Sequence, residues 1–430
     1  MSREHRTAAV LAIGDELTLG QTLDTNSRWL ADRLMALGVV TVEHVTVPDD
    51  AAATAHAIRR LAAAADLVVS TGGLGPTLDD LTREALAMAM GVTLEEDAVA
   101  LQQIQSWFAR SSRAMPEVNR VQALRPDGAE SLENTAGTAP GLAGTVGEAS
   151  VFCLPGPPRE MREMFERSVV ARLRPPGAAV RTRFLRCFGL GESEMATRLG
   201  ELMDRERDPL VGTTASGGVV TCRIRSAACG GVPGVGGDAV AETERLIHEH
   251  LDPYVFGTDG ETLAAVVLGL LRARGETLAT VESCTGGLLG QMITEVPGSS
   301  DVFVGGWITY TNEMKEREVG VRASLFAPGG PGAVSRECVE AMARGGLERS
   351  GAGHCLAITG VAGPVGGSAD KPVGTVWIGR AAPEGAESRR FLFTGDRAGI
   401  RDWSAKSALA MLRFALIGSV RTRLLRQVEL

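Results

Sequence analysis

The sequence predicts an α/β protein in three parts: a doubly wound sheet over residues 1–175, a small α+β connector over 176–257, and a second α/β domain over 258–430. Three observations lead there. Strand-like and helix-like patterns alternate through the first and last parts, polar glycine-rich turns fall at the ends of the strand-like runs, and 430 residues exceed what one core covers.

In the first part Ala8–Ile13 reads as a strand and Ser27–Leu37 as a helix, with Trp29, Leu30, Leu34 and Leu37 at helical spacing. Val39–Val47 is β-rich, Ala51–Ala65 helical, and Leu67–Ser70 a buried strand. Such alternation builds a parallel sheet covered on both faces, with ligands beyond the carboxyl ends of the strands. Three segments fall at those ends. Gly14, Asp15 and Glu16 lead to Asp24, Thr25 and Asn26; Thr71-Gly72-Gly73-Leu74-Gly75-Pro76-Thr77 leads to Asp79, Asp80 and Thr82; Asn134 to Gly141, including Thr138, precedes strand Ser150–Leu154. Glycine turns present backbone N–H groups to phosphate, and Asp79 and Asp80 offer hard oxygen ligands to a divalent metal such as Mg2+.

The connector reads as strand Arg181–Phe188, helix Glu192–Arg205, β-prone Leu210–Arg225, helix Ala239–Asp252 and strand Val255-Phe256. Gly189 to Ser193 reads as an ordinary helix start. Asp259-Gly260 marks a linker, after which the pattern is again α/β and is expected to fold by itself. Helix Thr262–Ala273, strand Thr277–Thr280, helix Leu288–Thr294, strand Asp301–Tyr310, helix Val334–Arg349, strands His354–Thr359 and Gly374–Arg380, and a terminal amphipathic helix Trp403–Leu425 follow.

A net charge of −8 and the absence of a long basic run argue against nucleic acid as a partner; the densest basic cluster, Arg421 to Arg426, is expected to close a helix. The polar N-terminus and the lack of an apolar run of about 18 residues predict a cytoplasmic protein with no membrane association. Seven scattered cysteines without a CxxC pair support neither a disulfide framework nor a zinc site. Leu409, Leu412 and Leu416 share one face of the terminal helix, which suits a dimer contact or the domain's own core; a homodimer is the expectation.

In the third part the chemistry gathers around Ser283. Glu282-Ser283-Cys284-Thr285-Gly286-Gly287 is a strand-to-helix turn, which places a hydroxyl beside free N–H groups. The same residues also make a plain helix cap. Thr309-Tyr310-Thr311-Asn312-Glu313-Met314-Lys315 and Thr359-Gly360-Val361-Ala362-Gly363-Pro364 close two further strands. The histidines lie elsewhere, so Lys315, desolvated in a cleft, is the candidate base, against the alternative of a solvated lysine on a helix face. Tyr310 would relay a proton or bind substrate. Cys284 is the rival nucleophile, since a thiolate at a helix N-terminus is activated; Ser283 is preferred.

Residues 8 to about 170 resemble the molybdopterin-binding, adenylyl-transfer family, through Thr71-Gly72-Gly73-Leu74-Gly75, Asp80-Leu81-Thr82 and Pro48-Asp49. Gly14-Asp15-Glu16 and Asp24-Thr25-Asn26 narrow this to the CinA-type (competence/damage-inducible) branch. The resemblance implies a metal-dependent pyrophosphate hydrolase acting on ADP-ribose, with Asp49 and Asp80 catalytic. The connector resembles a KH-type fold, but Gly230-Gly231-Val232-Pro233-Gly234 joins a strand to a helix with no basic residue, so RNA binding does not carry over. The third part is similar to the C-terminal domain of CinA, the nicotinamide mononucleotide deamidase family, through the Ser283, Lys315 and Thr359 motifs, Val296 to Ser300, and Lys371-Pro372-Val373-Gly374-Thr375. That resemblance implies amide hydrolysis without a cofactor. The oxyanion would be met by N–H groups around Thr285, Gly286 and Gly287, and the nucleotide phosphate by the Thr359-Gly360 turn with Gly363. The rival reading is a non-catalytic adaptor linked to recombination, which needs a basic stripe or an exposed partner helix.

Overall fold

Thr7–Ile13 (β1) is apolar from Ala8 onward, and such a strand must be covered on both faces. The computed structural model, which describes residues 4–110, 112–175, 181–226 and 235–429, covers it so. Contacts divide the described residues into two compact units, residues 4–181 and residues 182–226 with 237–429.

In the first unit β1 lies between Val40–Val47 (β2) and Leu67–Thr71 (β3). With Glu130–Leu132 (β4), Gly141–Val146 (β5) and Ala149–Leu154 (β6), they form a sheet of order β2-β1-β3-β6-β5-β4. Ala8 and Val10 face Leu30 and Leu34 of helix Asn26–Ala36 (α1) and Phe165. Ala9, Leu11 and Ile13 face Ile58 and Leu61 of Ala51–Ala64 (α2) and Leu86 of Thr82–Met90 (α3). The strands β2, β1, β3 and β6 are parallel, as expected. The other edge is not: β5 and β6 are joined by the two-residue turn Gly147-Glu148, which leaves no room for a crossover, and β4 and β5 run antiparallel.

Leu94–Glu96, Ala98–Arg110 (α4), Glu117–Ala123 and Leu124–Pro126 leave this sheet as an excursion. They pack on a cluster of their own, Ala100, Ile104 and Ala123.

In the second unit Arg181–Phe188 (β7), Leu210–Ser216 (β8), Val219–Ser226 (β9) and Val255–Thr258 (β10) form a sheet of order β8-β9-β7-β10, with helices Glu192–Leu199 (α5) and Val235–Leu251 (α6). Gly230 to Gly234 lie outside the described residues. A second sheet orders Leu278–Glu282 (β11), Phe303–Ile308 (β12), His354–Gly360 (β13), Thr375–Ala382 (β14), Gly385–Leu392 (β15) and Gln427–Val428 (β16) as β12-β11-β13-β14-β15-β16. Its strands β12, β11 and β13 are parallel and the rest antiparallel. Helices Leu263–Arg274 (α7), Leu288–Thr294 (α8), Asn312–Val319 (α9), Arg336–Ser350 (α10) and Arg397–Leu416 (α11) complete it.

Three expectations change here. The terminal helix is α11, started by Asp396, whose Oδ1 accepts the Gly399 N–H at 2.8 Å, and ended before Gly418, where φ is 74°. Arg421 to Arg426 therefore lie beyond the helix. Leu409, Leu412 and Leu416 are buried in the core, so that face is neither a dimer contact nor an exposed partner helix. Asp259-Gly260 is a turn rather than a loose linker: the Asp259 N–H donates to the Phe184 carbonyl at 2.8 Å, and its carboxylate pairs with Arg183 at 2.6 Å.

One core runs through both sheets of this unit. Trp403 of α11 packs on Phe188, and Phe414 on Tyr254. Arg413 donates to the Pro253 and Val255 carbonyls, and Lys406 to that of Gly217. Burying one such aromatic side chain contributes about 1.5–3 kcal/mol. A chain beginning at residue 182 is expected to melt in one cooperative transition, and one beginning at Thr258 at a lower temperature. Equal melting temperatures by circular dichroism would contradict the shared core.

Candidate functional site

Most of the N-terminal residues singled out from the sequence line one cavity of about 490 Å3 at the carboxyl ends of β1, β2 and β3; Asp15, Thr82 and Asn134 do not. Gly14, Glu16 and Asn26 border it after β1, Asp49 after β2, and Thr138 before β5. Thr71, Gly72, Gly73, Gly75, Asp79 and Asp80 supply the loop after β3. Gly72 has φ of 109°, and a Cβ there would fall 2.2 Å from the Ile13 carbonyl oxygen, so no other residue fits.

That loop is closed from two sides. Asp80 accepts the Gly75 N–H at 2.7 Å, the Thr77 N–H at 2.9 Å and the Thr77 hydroxyl. From beneath, the fully buried Arg83 donates to the carbonyls of Leu74, Gly75 and Asp80 at 2.8, 2.8 and 3.2 Å. The Asp80 carboxylate is thus part of the loop's own hydrogen-bonded structure. Arg83 went unnoticed in the sequence because a buried arginine there looks like any first-turn helix cation.

Two further acids that border the cavity are Asp49 and Asp79. Partial burial raises the Asp49 carboxyl above the usual range, and its neighbours Asp15, Glu16 and Asp79 add to the rise; the Asp15 N–H donates to it at 2.9 Å. Asp79 is exposed at the border of the cavity. Six carboxylates line the cavity, Glu16, Asp24, Asp49, Asp79, Asp80 and Glu160, with no Lys, Arg or His among the lining residues. Among the described residues no three His, Cys, Asp or Glu side chains converge as a complete cage. Mg2+ commonly takes only one or two carboxylates and fills its shell with water and phosphate oxygens. Asp49 and Asp79, with the surplus of negative charge around them, fit that requirement.

The second site lies at the carboxyl ends of β11, β12 and β13. The Ser283 N–H still donates to Ile358 of β13 at 2.9 Å; the chain then turns through Gly286 and Gly287, at φ of 57° and 94°, into α8. Glu282, 2% exposed, reaches around the turn and accepts the N–H groups of Gly287, Leu289 and Gly290 at 3.0, 3.0 and 2.8 Å. The Gly286 N–H donates to Ser283 O at 3.0 Å. Gly286 and Gly287 are therefore not free to meet an oxyanion. The N–H groups of Cys284 and Thr285 donate to no acceptor among the described residues.

Lys315 is 1% exposed, and its Nζ lies 3.2 Å from Ser283 Oγ and 2.8 Å from the Thr309 carbonyl oxygen. The solvated-lysine alternative is excluded. Burial lowers its pKa from the ordinary lysine value, partly opposed by Cys338, Cys284 and Glu313. Cys284 turns into the apolar core, where burial pushes its thiol up to about 12, so it stays protonated. Of the two candidate nucleophiles, the serine faces the lysine.

Around this pair, Tyr310 is exposed and its oxygen accepts a hydrogen bond from Arg397 at 2.8 Å; Arg397 also donates to the Gly363 carbonyl at 2.8 Å. Arg401 donates to the Thr285 carbonyl at 3.1 and 2.6 Å. Thr359 is buried and its hydroxyl donates to the Ala333 carbonyl at 2.8 Å, while Gly360 pairs with Val376. The Thr359-Gly360 turn thus shapes the loop instead of presenting free donors to a phosphate. Arg397 and Arg401 escaped the sequence reading; their signal was two arginines four apart after the capping Asp396.

A doubly wound sheet with an acidic glycine-loop cavity, joined through a connector to an α/β domain with a serine beside a buried lysine, defines a multidomain α/β protein with two separate sites. Family models match each part: "Probable molybdopterin binding domain" over 9–175, "Damage-inducible protein CinA KH domain" over 182–257, and "CinA C-terminal domain" over 260–416. The chain is 42% identical to a competence-damage inducible protein of Symbiobacterium thermophilum over 425 residues, 96% of this chain and 99% of that one. It is 41% identical to a CinA-like protein of Geobacter metallireducens, over 95% and 99% of the two chains. Among solved structures, a competence/damage inducible protein from Agrobacterium tumefaciens is 40% identical over 36% of this chain and 93% of its own, with a TM-score of 0.34. This chain belongs to the CinA family. Among the described residues, no helix is long and apolar enough to cross a membrane.

The loop contacts separate the two neighbouring aspartates experimentally. Asp80→Ala removes the acceptor of three hydrogen bonds and is expected to destabilise the first unit by about 1–3 kcal/mol in denaturant unfolding. Asp79→Ala should leave the midpoint where it is; the reverse order would show that the loop is not closed by Asp80.

Proposed function

We propose that the chain is a bifunctional hydrolase of pyridine-nucleotide breakdown products. The second unit would convert nicotinamide mononucleotide to nicotinic acid mononucleotide and ammonia, and the first would cleave ADP-ribose to AMP and ribose 5-phosphate with a divalent metal. The observation that carries the first half is the Lys315 amine, buried 3.2 Å from Ser283 Oγ.

A neutral amine has two N–H groups and one lone pair. The Thr309 carbonyl at 2.8 Å and the Thr311 carbonyl at 3.5 Å accept the two N–H groups, which turns the lone pair towards Ser283. Lys315 then takes the hydroxyl proton as Ser283 Oγ bonds to the carboxamide carbon. The oxyanion is placed to meet the Cys284 and Thr285 N–H groups, the first being the residue after the nucleophile. The Lys315 ammonium returns its proton to the leaving nitrogen as the C–N bond breaks and ammonia departs. Water, deprotonated by the same amine, hydrolyses the ester and frees Ser283. Arg397, exposed beside Tyr310, is the cation placed to pair with the nucleotide phosphate.

In the first unit, a bound divalent metal would neutralise the pyrophosphate and so make an acidic cavity habitable for an anion. Asp49, with its raised pKa, is placed to exchange a proton with water there.

Ammonia release from nicotinamide mononucleotide and AMP release from ADP-ribose test the two halves. Ser283→Ala, Lys315→Ala and the double variant are expected to be about equally inactive, each losing roughly a thousandfold or more in turnover, because the pair acts as a unit. Cys284→Ala keeps most activity. Turnover should rise with pH through the lowered lysine pKa, since only the neutral amine accepts a proton. A chelator should stop AMP release and spare ammonia release. Deamidation surviving Ser283→Ala but lost in Cys284→Ala would overturn the mechanism.

A further inference from the structure

The first cavity suits phosphates and a cation, but its lining residues include no aromatic ring. A second cleft, of about 290 Å3, is bordered by Asn134 and Thr135, in the same loop whose Thr138 and Ala139 border the first cavity. Gln102, Gln103, Ser106 and Trp107 of α4 form one wall, Asn134 and Thr135 the other, and Arg110 and Glu133 place a charge of each sign at its border. An indole face among carboxamides and hydroxyls is the chemistry that holds a flat heterocycle: the ring stacks, and the amides meet donors and acceptors on its edge. A planar group already uses that ring, since the Arg110 guanidinium lies 6.0 Å from the Trp107 centroid.

The two spaces are linked through Asn134 and its hydrogen-bond partners. Asn134 lines the second cleft, and its Nδ2 donates to the Ala139 carbonyl at 2.8 Å and to Glu160 at 2.7 Å, both of which line the first cavity. The excursion that carries α4 also sends Gln122 to the first cavity, where it donates to the Leu74 carbonyl at 3.4 Å. Because that excursion packs on its own small cluster, the cleft side of α4 is not committed to the main core.

We infer that the Trp107 cleft is the subsite for the purine base of the nucleotide whose phosphates lie in the first cavity. This rests on the hydrolase reading of the first unit and assigns the base to residues outside the glycine-loop cavity. The ligand lies across the Asn134 wall, with the pyrophosphate on the acidic side and the base on Trp107.

Calorimetric titration of the full chain with AMP, and separately with ribose 5-phosphate, tests the assignment in the wild type, Trp107→Ala, Gln103→Ala and Trp107→Phe. Removing one stacking partner should weaken AMP binding by about tenfold or more. Gln103→Ala should weaken it less, Trp107→Phe should restore most of it, and ribose 5-phosphate should bind all four proteins alike. Melting temperatures establish that each variant is folded. AMP bound as tightly by Trp107→Ala and Gln103→Ala as by the wild type, or no AMP bound by the wild type, overturns the subsite. Trp107-dependent AMP binding without ADP-ribose cleavage would instead sink the hydrolase reading and leave the subsite standing.

Discussion

A lysine amine enclosed with a serine hydroxyl is the constraint on which the second unit depends. An ammonium ion is costly to bury without a paired anion, and the groups within hydrogen-bond reach of Lys315 are Ser283 Oγ and two backbone carbonyls. The placement follows from local geometry. Thr311 caps α9, accepting the Met314 N–H at 3.3 Å, and Lys315 sits in the first turn. Helical side chains lean toward the N-terminus, so Lys315 reaches back to Thr309 at the end of β12. Ser283 meets it from β11, the neighbouring strand, fixed by its own N–H on β13. The buried Glu282 occupies the start of α8, so the helix end is already satisfied and the free N–H groups fall next to the serine.

The two candidate sites carry opposite charge. In the second, Arg397 and Arg401 descend from the first turn and a half of α11 to the site, and the core that fixes α11 is completed by Phe188 and Tyr254 of the connector sheet. In the first, the cation under the glycine loop is Arg83, and it donates to carbonyls. Its charge organises the loop while the cavity itself stays acidic, which favours a cation as the companion of any phosphate bound there.

Most of the strands and helices near the sites were legible because their periodicity is strong and their ends are marked by glycine. α8 falls at Leu288–Thr294 as read, and the N-terminal site residues converge as their strand-end positions require. What failed was decided by partners distant in sequence. The antiparallel edges of both large sheets include two-residue hairpins, β5–β6 and β14–β15, which strand pattern does not reveal. The apolar face of α11 is the same whether it meets a second chain or its own core. The three loop hydrogen bonds of Asp80 are likewise invisible in the sequence, whereas the desolvated Lys315 was expected and its burial is a property of packing. Arg83, Arg397 and Glu282 act on backbone carbonyls and N–H groups, for which a sequence carries little signal.

The central claim, that burial lowers the Lys315 pKa beside Ser283, is open to direct measurement because the chain has only three lysines, Lys315, Lys371 and Lys406. With lysine labelled by 13C at Cε, a pH titration followed by NMR resolves each one, and Lys315→Met assigns its signal. The Lys315 resonance is expected to titrate below the ordinary lysine range. A Lys315 signal that titrates within that range would contradict the account, since the amine would then be an ammonium ion unable to take the Ser283 proton.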